Sequence, residues 1–250
     1  MKTILLPAFL ALGFLGALSV ATTAGAAPKK LLVVSVTKGF RHESIPTAER
    51  TIEAIGKESG VYTVDFARTD EELQAKTTEK ALAAYDGVFF VSTTGDLPLA
   101  DRDAFLAWIA KGHAFLGMHS ATDTFHGYRP FIAMIGGEFD YHKQQVKVEP
   151  KVEDPKHPAV RHLEAGFGVL DEIYIMKSFD KARVHVLLSV DKHPNTGEPG
   201  YFPLAWTRQE GKGRVFYTAF GHRDDVIEAD WYKKHLLGGI RWALGVDGGR

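Results

Sequence analysis

The stretch FLGMHSATDTFHGY (115–128) decides how the rest of this chain reads. The uninterrupted apolar run Phe115-Leu116-Gly117-Met118 stops at His119, and a small polar segment carrying Asp123 and His126 follows at once. Continuous apolar character, without alternation, suits a strand covered on both faces, as in a parallel sheet. In several α/β folds the residue at such a strand-to-helix corner is a nucleophilic Ser or Cys. Here it is an imidazole.

Upstream, the same kind of strand recurs in alternation with helices. KKLLVVSVT (29–37) is apolar and β-branched and ends in the loop KGFRHES (38–44). Ser44 is the expected N-cap of a helix over 45–60, with Pro46 in its first turn and Gly60 past its end. Ile45, Ala48, Ile52 and Ile55 share one side, which should lie on the sheet. VYTVDFA (61–67) alternates, as an edge strand does. TTEKALAAYD (77–86) predicts a short helix, GVFFVSTTG (87–95) a buried strand, PLADRDAFLAWIAKG (98–112) a helix and HAFLGMH (113–119) the fourth strand. Strands and helices at this spacing imply βαβ crossovers, hence an α/β fold with a doubly wound, mostly parallel sheet.

Downstream the pattern is less regular. QQVKVEPKVED (144–154) reads as an exposed strand, and GVLDEIYIM (168–176) and ARVHVLLSVD (182–191) as further strands. LAWTRQ (204–209) and GRVFYTAFGH (213–222) form an expected hairpin, and EADWYKKHLLGGIRWALG (228–245) a closing amphipathic helix. No internal repeat or linker divides the chain, so residues 27–250 are expected to form one domain.

Composition narrows the function. Lys2, an apolar run from Ile4 to Val20 and the small residues Ala24-Gly25-Ala26 match a signal peptide over 1–26, so export to a periplasm or secretion is expected. The competing reading, an uncleaved anchor, fits less well because the run is short and lacks a basic stop. A formal charge of −1 without large blocks of one sign argues against nucleic acid as a partner. The absence of cysteine removes disulfides, thiolate metal sites and a thiol nucleophile. Eleven histidines are the main clue.

Chemically competent residues cluster just after the expected strands: Arg41 and His42; Ser92, Thr93 and Thr94; His119, Asp123 and His126; His222 with Asp224 and Asp225. In open α/β sheets ligands bind beyond the carboxyl ends of the strands, so these positions should meet along one rim. His113 and His185 lie in strands and read as structural; His157, His162, His193 and His235 read as solvated or packed. Asp123 could simply cap a following helix. Gly136-Gly137 permits an unusual turn that presents Phe139 and His142. Asp171, Glu172 and Tyr174 lie on a candidate strand. Trp206 is suited either to stacking on a sugar or to the core.

KGFRHES, GMHSATDTF, IGGEFDYH, LDEIYIM, PLAWTRQEGKGRVFYTAFGH and the closing helix, in this order over about residues 30 to 245, resemble the ThuA-like (trehalose utilisation) family. That resemblance implies a flavodoxin-like sandwich similar to class I glutamine amidotransferases, in which the corner after the fourth strand carries the catalytic cysteine. Here the corner reads Gly117-Met118-His119-Ser120-Ala121, so thioester chemistry is ruled out. The resemblance further implies sugar metabolism, and the reading it favours is an enzyme acting on an oxidised (keto) sugar or glycoside. A carbonyl acidifies the neighbouring C–H, so such chemistry needs a base, an enolate stabiliser and an acid. Candidates for proton transfer are His119, His222, Glu172 and Asp123; for substrate, Arg41, Thr93, Thr94, Tyr174 and Trp206. His42, His119, His142 and His222 are candidate ligands of a divalent metal such as Zn²⁺. No nucleotide or flavin is expected. The alternative is a non-catalytic sugar-binding or accessory protein of the cell envelope, its cleft lined by Tyr128, Tyr141, Tyr174 and Trp206.

Overall fold

The structure, a computed structural model, describes residues 27–246. The expected signal peptide over 1–26 lies outside them. In the amino-terminal half, β1 (Lys29–Val34), α1 (Ile45–Ser59), β2 (Tyr62–Ala67), α2 (Asp70–Lys76), α3 (Glu79–Leu82), β3 (Gly87–Val91), α4 (Arg102–Ala110) and β4 (Ala114–Met118) follow one another. A 3-10 turn (His119–Asp123) leads to α5 (Arg129–Ile135). The remaining elements are β5 (Glu138–His142), β6 (Val146–Val148), β7 (Lys151–Val152), β8 (Val169–Asp171), β9 (Tyr174–Lys177), β10 (His185–Lys192), β11 (Pro199–Glu210), β12 (Gly213–Thr218), α6 (Asp224–Glu228) and α7 (Asp230–Leu244).

Eight strands form one sheet in the order β2-β1-β3-β4-β12-β11-β10-β7. The first five are mutually parallel, and β11, β10 and β7 extend the sheet antiparallel. This is the expected flavodoxin-like α/β arrangement, and β2, the alternating segment, is its edge. The strands are apolar throughout because both faces are covered. Leu31, Val33, Phe89, Leu116 and Phe216 pack with α1, α6 and α7 on one side. Leu32, Val34, Val88, Phe90, Phe115 and Val215 pack with α2 to α5 on the other. Successive strand residues alternate between the two layers, as pleating requires.

Several elements differ from expectation. The helix expected over 77–86 shrinks to the single turn α3, and a helix that was not expected, α2, precedes it. The hydroxyls of Thr69 and Thr78 accept from the Glu72 and Ala81 N–H groups, so two local caps start two helices. Segment 144–154 splits at Pro150: β6 pairs with β8, whereas β7 joins β10. Segment 168–176 splits too, β8 pairing with β6 and β9 with β5. The break falls at Glu172–Ile173 and gives the molecule two small ribbons above the sheet. The closing helix expected over 228–245 is α7, and the short α6 precedes it. A helix forms at α5, ending on Gly136 at φ +96°, where a Cβ would stand 2.8 Å from Trp206 Nε1. Only glycine allows both the turn and that approach.

Candidate metal and acid–base centre

Three loops that follow parallel strands converge. The loop after β1 brings His42, the corner after β4 brings His119, and the loop after β12 brings His222. His42 Nε2 is 3.1 Å from His119 Nε2, and His222 Nδ1 is 3.2 Å from the same atom. The fourth member, Glu172, comes from the break between β8 and β9. Its Oε2 lies 3.2 Å from His222 Nδ1 and 3.6 Å from His119 Nε2. One donor atom from each of the four lies within 4.8 Å of every other.

His119, His42 and Glu172 are held from behind. His119 sits at φ +47°, a left-handed conformation unusual for a residue with a Cβ. Tyr217 Oη donates to the His119 carbonyl at 2.6 Å, and the His119 ring rests against Tyr174 at 4.4 Å between centroids. His119 Nδ1 is 3.1 Å from the Ala219 carbonyl oxygen, which only accepts; the proton is therefore on Nδ1, and Nε2 presents its lone pair to the centre. His42 Nδ1 meets Ser120 Oγ at 3.3 Å. Glu172 Oε1 meets His142 Nδ1 at 3.0 Å. Ser44, at the N-cap position of α1, makes no cap bond; its hydroxyl donates to the Gly221 carbonyl and ties the His42 loop to the His222 loop.

Asp171, to which sequence reasoning gave no role, is the joint between ribbon and sheet. It is fully buried and accepts from Gly221 N–H at 2.8 Å and from Glu172 N–H at 3.0 Å, so one carboxylate sets the backbone next to two members of the centre. Burial pushes its pKa up to about 6.

The electrostatics favour neutral imidazoles. Burial, then the neighbouring His222, lowers His42 to about 4. Burial also holds His119 well below the ordinary histidine value. His222 moves the other way, raised by its hydrogen bond to Glu172. Ligand bonds of about 2.0–2.1 Å in a tetrahedral site imply donor–donor edges of roughly 3.3 Å. Four of the six donor–donor edges, at 3.1, 3.2, 3.2 and 3.6 Å, bracket that value, and the other two are within 4.8 Å. Nitrogens facing one another, the second nitrogens of His42 and His119 engaged elsewhere and a carboxylate for charge balance form a donor set that could hold a borderline divalent ion.

Other expected site residues fall differently. Among the four histidines expected to bind metal, His142 is outside the group; it touches the centre through Glu172, and Glu172 takes its place. Trp206 is fully buried, donates from Nε1 to the Ile135 carbonyl at 2.8 Å and packs on Tyr217, which places it in the core. Thr93 and Thr94 are also buried: Thr93 Oγ1 pairs with Thr124 Oγ1 at 2.7 Å, and Thr94 Oγ1 donates to the Phe40 carbonyl at 2.9 Å. They brace the rim from beneath. Asp123 neither caps a helix nor joins the centre; it pairs with His126, whose Nδ1 meets Glu138 at 2.8 Å. Tyr174 forms a wall of the centre, its phenol pushed up by burial and by Glu172. Arg41 is exposed beside His42, and its Nη1 donates to the Ser35 carbonyl at 2.8 Å.

The family model described as ThuA, trehalose utilisation, matches residues 30–243. The chain belongs to the ThuA family. Two solved structures share the fold of this ThuA protein. One is a putative ThuA-like protein from Bacteroides uniformis (21% identity, TM-score 0.72, 89% of this chain and 94% of that one). The other is a putative ThuA-like protein from Parabacteroides merdae (19% identity, TM-score 0.73, 87% and 90%). A β-galactosidase from Bacillus circulans shares the fold more distantly, at 12% identity and TM-score 0.54, over 88% of this chain and 31% of that one. No curated protein sequence matched the chain. Membership in the family places the protein in carbohydrate metabolism.

Proposed function

We propose that this ThuA protein is an exported, metal-dependent enzyme that acts on an oxidised (keto) sugar or glycoside. His42, His119, Glu172 and His222 would hold a divalent ion of the Zn²⁺ class. The observation that carries the reading is the meeting of three imidazole nitrogens and one carboxylate oxygen within 4.8 Å, beside an open pocket lined by His42 and His222. Such an ion supplies Lewis acidity to a sugar carbonyl and to the enolate derived from it. With His119, His222 and Glu172 engaged as ligands, proton transfer falls to His142, which is half-exposed, with Nδ1 hydrogen-bonded to the Lys143 carbonyl and 3.0 Å from Glu172 Oε1. In this scheme the C2 proton passes to the imidazole, its electron pair forms the C1–C2 double bond, the C1–O bond breaks, and the departing alkoxide recovers a proton. Arg41 lies at the mouth to receive substrate oxygens.

The test is metal analysis of the purified mature protein, with turnover of 3-keto-disaccharides and unoxidised disaccharides before and after chelation. About one ion per chain, turnover of the keto-sugar alone and loss on chelation are expected. Undiminished turnover by metal-free protein would remove the ion from the mechanism. Disaccharide binding without turnover would favour the non-catalytic sugar-binding reading. Amino-terminal sequencing of the secreted chain, expected to begin at Ala27, tests export.

A further inference from the structure

The pocket beside the centre has a volume of about 630 Å³, more room than a single pyranose needs. Arg41, Glu43, Gln145, Arg223 and Asp224 bring planar guanidinium, amide and carboxylate groups to its wall. Arg223 is itself fixed, bonded to Asp225 through Nε and Nη2 and to Gln145 through Nη1. Amid these polar groups stands one hydrocarbon ring. Phe40 is 67% exposed, the most exposed large apolar side chain among the described residues.

Phe40 does not sit on a loose tip. Its carbonyl accepts from Thr94 Oγ1 at 2.9 Å, and Gly39 N–H donates to that same hydroxyl at 3.1 Å. The ring meets His42 edge to face, with centroids 4.8 Å apart and planes at 79°, which leaves much of the Phe40 ring uncovered beside a member of the centre. Leaving a phenylalanine ring in water forfeits the free energy of burying it. An apolar ring ringed by planar polar side chains is the composition a pyranose requires: its C–H face lies on the aromatic, and its equatorial hydroxyls meet the carboxylates and guanidinium.

We infer that Phe40 is the stacking platform of a second sugar subsite, so that the ligand is a disaccharide-sized glycoside with one ring at the histidine centre and the other on Phe40. Only the placing of the oxidised ring at the centre rests on the proposed function. The experiment compares wild type, Phe40→Ala and Phe40→Trp in two assays. The first is kcat/KM for a 3-keto-disaccharide and for the methyl glycoside of the same keto-sugar. The second is calorimetric binding of unoxidised cellobiose, maltose and methyl glucoside. Phe40→Ala is expected to weaken the disaccharides about tenfold and the methyl glycosides less than twofold, with Phe40→Trp restoring disaccharide affinity. Metal content should be equal in all three. Equal loss on both ligand sizes, no loss, or no disaccharide binding by wild type would overturn the subsite. Phe40-dependent binding without keto-sugar turnover would sink the proposed enzyme and leave the subsite standing.

Discussion

His119 and His235 are alike in almost every respect but one. Both are fully buried, both have Nδ1 on a backbone carbonyl (Ala219 at 3.1 Å, Ala159 at 2.9 Å), and in both burial depresses the pKa, to about 3 for His235. They differ at the second nitrogen. His119 Nε2 faces two imidazoles and a carboxylate; His235 Nε2, packed between α7 and the sheet, has no hydrogen-bond partner. Burial and a fixed tautomer therefore do not make a histidine functional. What matters is whether other segments deliver polar groups to the free nitrogen, as the rim at the carboxyl ends of β1, β4 and β12 and the β8–β9 break do for His119.

The contrast breaks most directly on substitution. His119→Ala is expected to lower metal affinity by more than about 100-fold and to abolish keto-sugar turnover, because a donor is lost from the centre itself. His235→Leu should leave metal stoichiometry and turnover unchanged. If calorimetric metal titration gave the same curve for both variants, the distinction between the two buried imidazoles would fail.

Acid sharpens the comparison at intermediate size. His42, His119 and His235 all bind a proton less readily folded than unfolded, so the unfolded chain takes up more protons below the ordinary histidine pKa of 6.5. Their contribution is complete above pH 6.5 and is lost as pH falls towards the folded values. For the His42 drop to about 4 the loss is on the order of 3 kcal/mol. Asp171, raised to about 6, has the opposite sign and offsets part of it, whereas the stability from His222, raised by Glu172, is already complete below pH 6.5. The chelated protein should show a falling Tm between pH 6.5 and 4. Added Zn²⁺ should shift that decline to lower pH in the wild type, and His235→Leu should flatten it without altering the metal response. A Tm independent of pH in this window would contradict the assignment of neutral buried imidazoles.

The smallest effect is expected from Ser120→Ala. Removing the hydroxyl 3.3 Å from His42 Nδ1 loosens one ring's orientation and should weaken metal binding about tenfold, read by competition with a chelating dye. An unchanged affinity would mean that Ser120 does not help to orient the ring.

The sequence carried the parallel half of the sheet and three members of the centre plainly. Strands buried on both faces are continuous apolar runs, and a polar residue directly after such a run has little but the rim to face; His119 and His222 stood out for that reason, and His42 by its place in the first loop. Glu172 entered as an acid on one apparent strand, since 169–176 is mostly apolar with no glycine or proline inside it. The break there is tertiary: Asp171 is taken by the Gly221 N–H, 50 residues away, which no local pattern encodes. Trp206 was ambiguous for a related reason, because its fate depends on α5 and on the missing side chain at Gly136. Phe40 did leave a signal, an apolar residue between Gly39 and Arg41 in an otherwise polar loop.

The spacing of the four donors has a consequence for assembly. His42 and His119 are 77 residues apart, His119 and His222 are 103 apart, and Glu172 lies between the last two. An ion held there would staple the ends of loops that span most of the described chain, and no partly folded fragment could offer all four donors. Such a staple restrains the unfolded chain most when its loops are long. Occupancy would then report completed folding, and stripping the ion would be felt far from the rim, in the packing of α1 against α7.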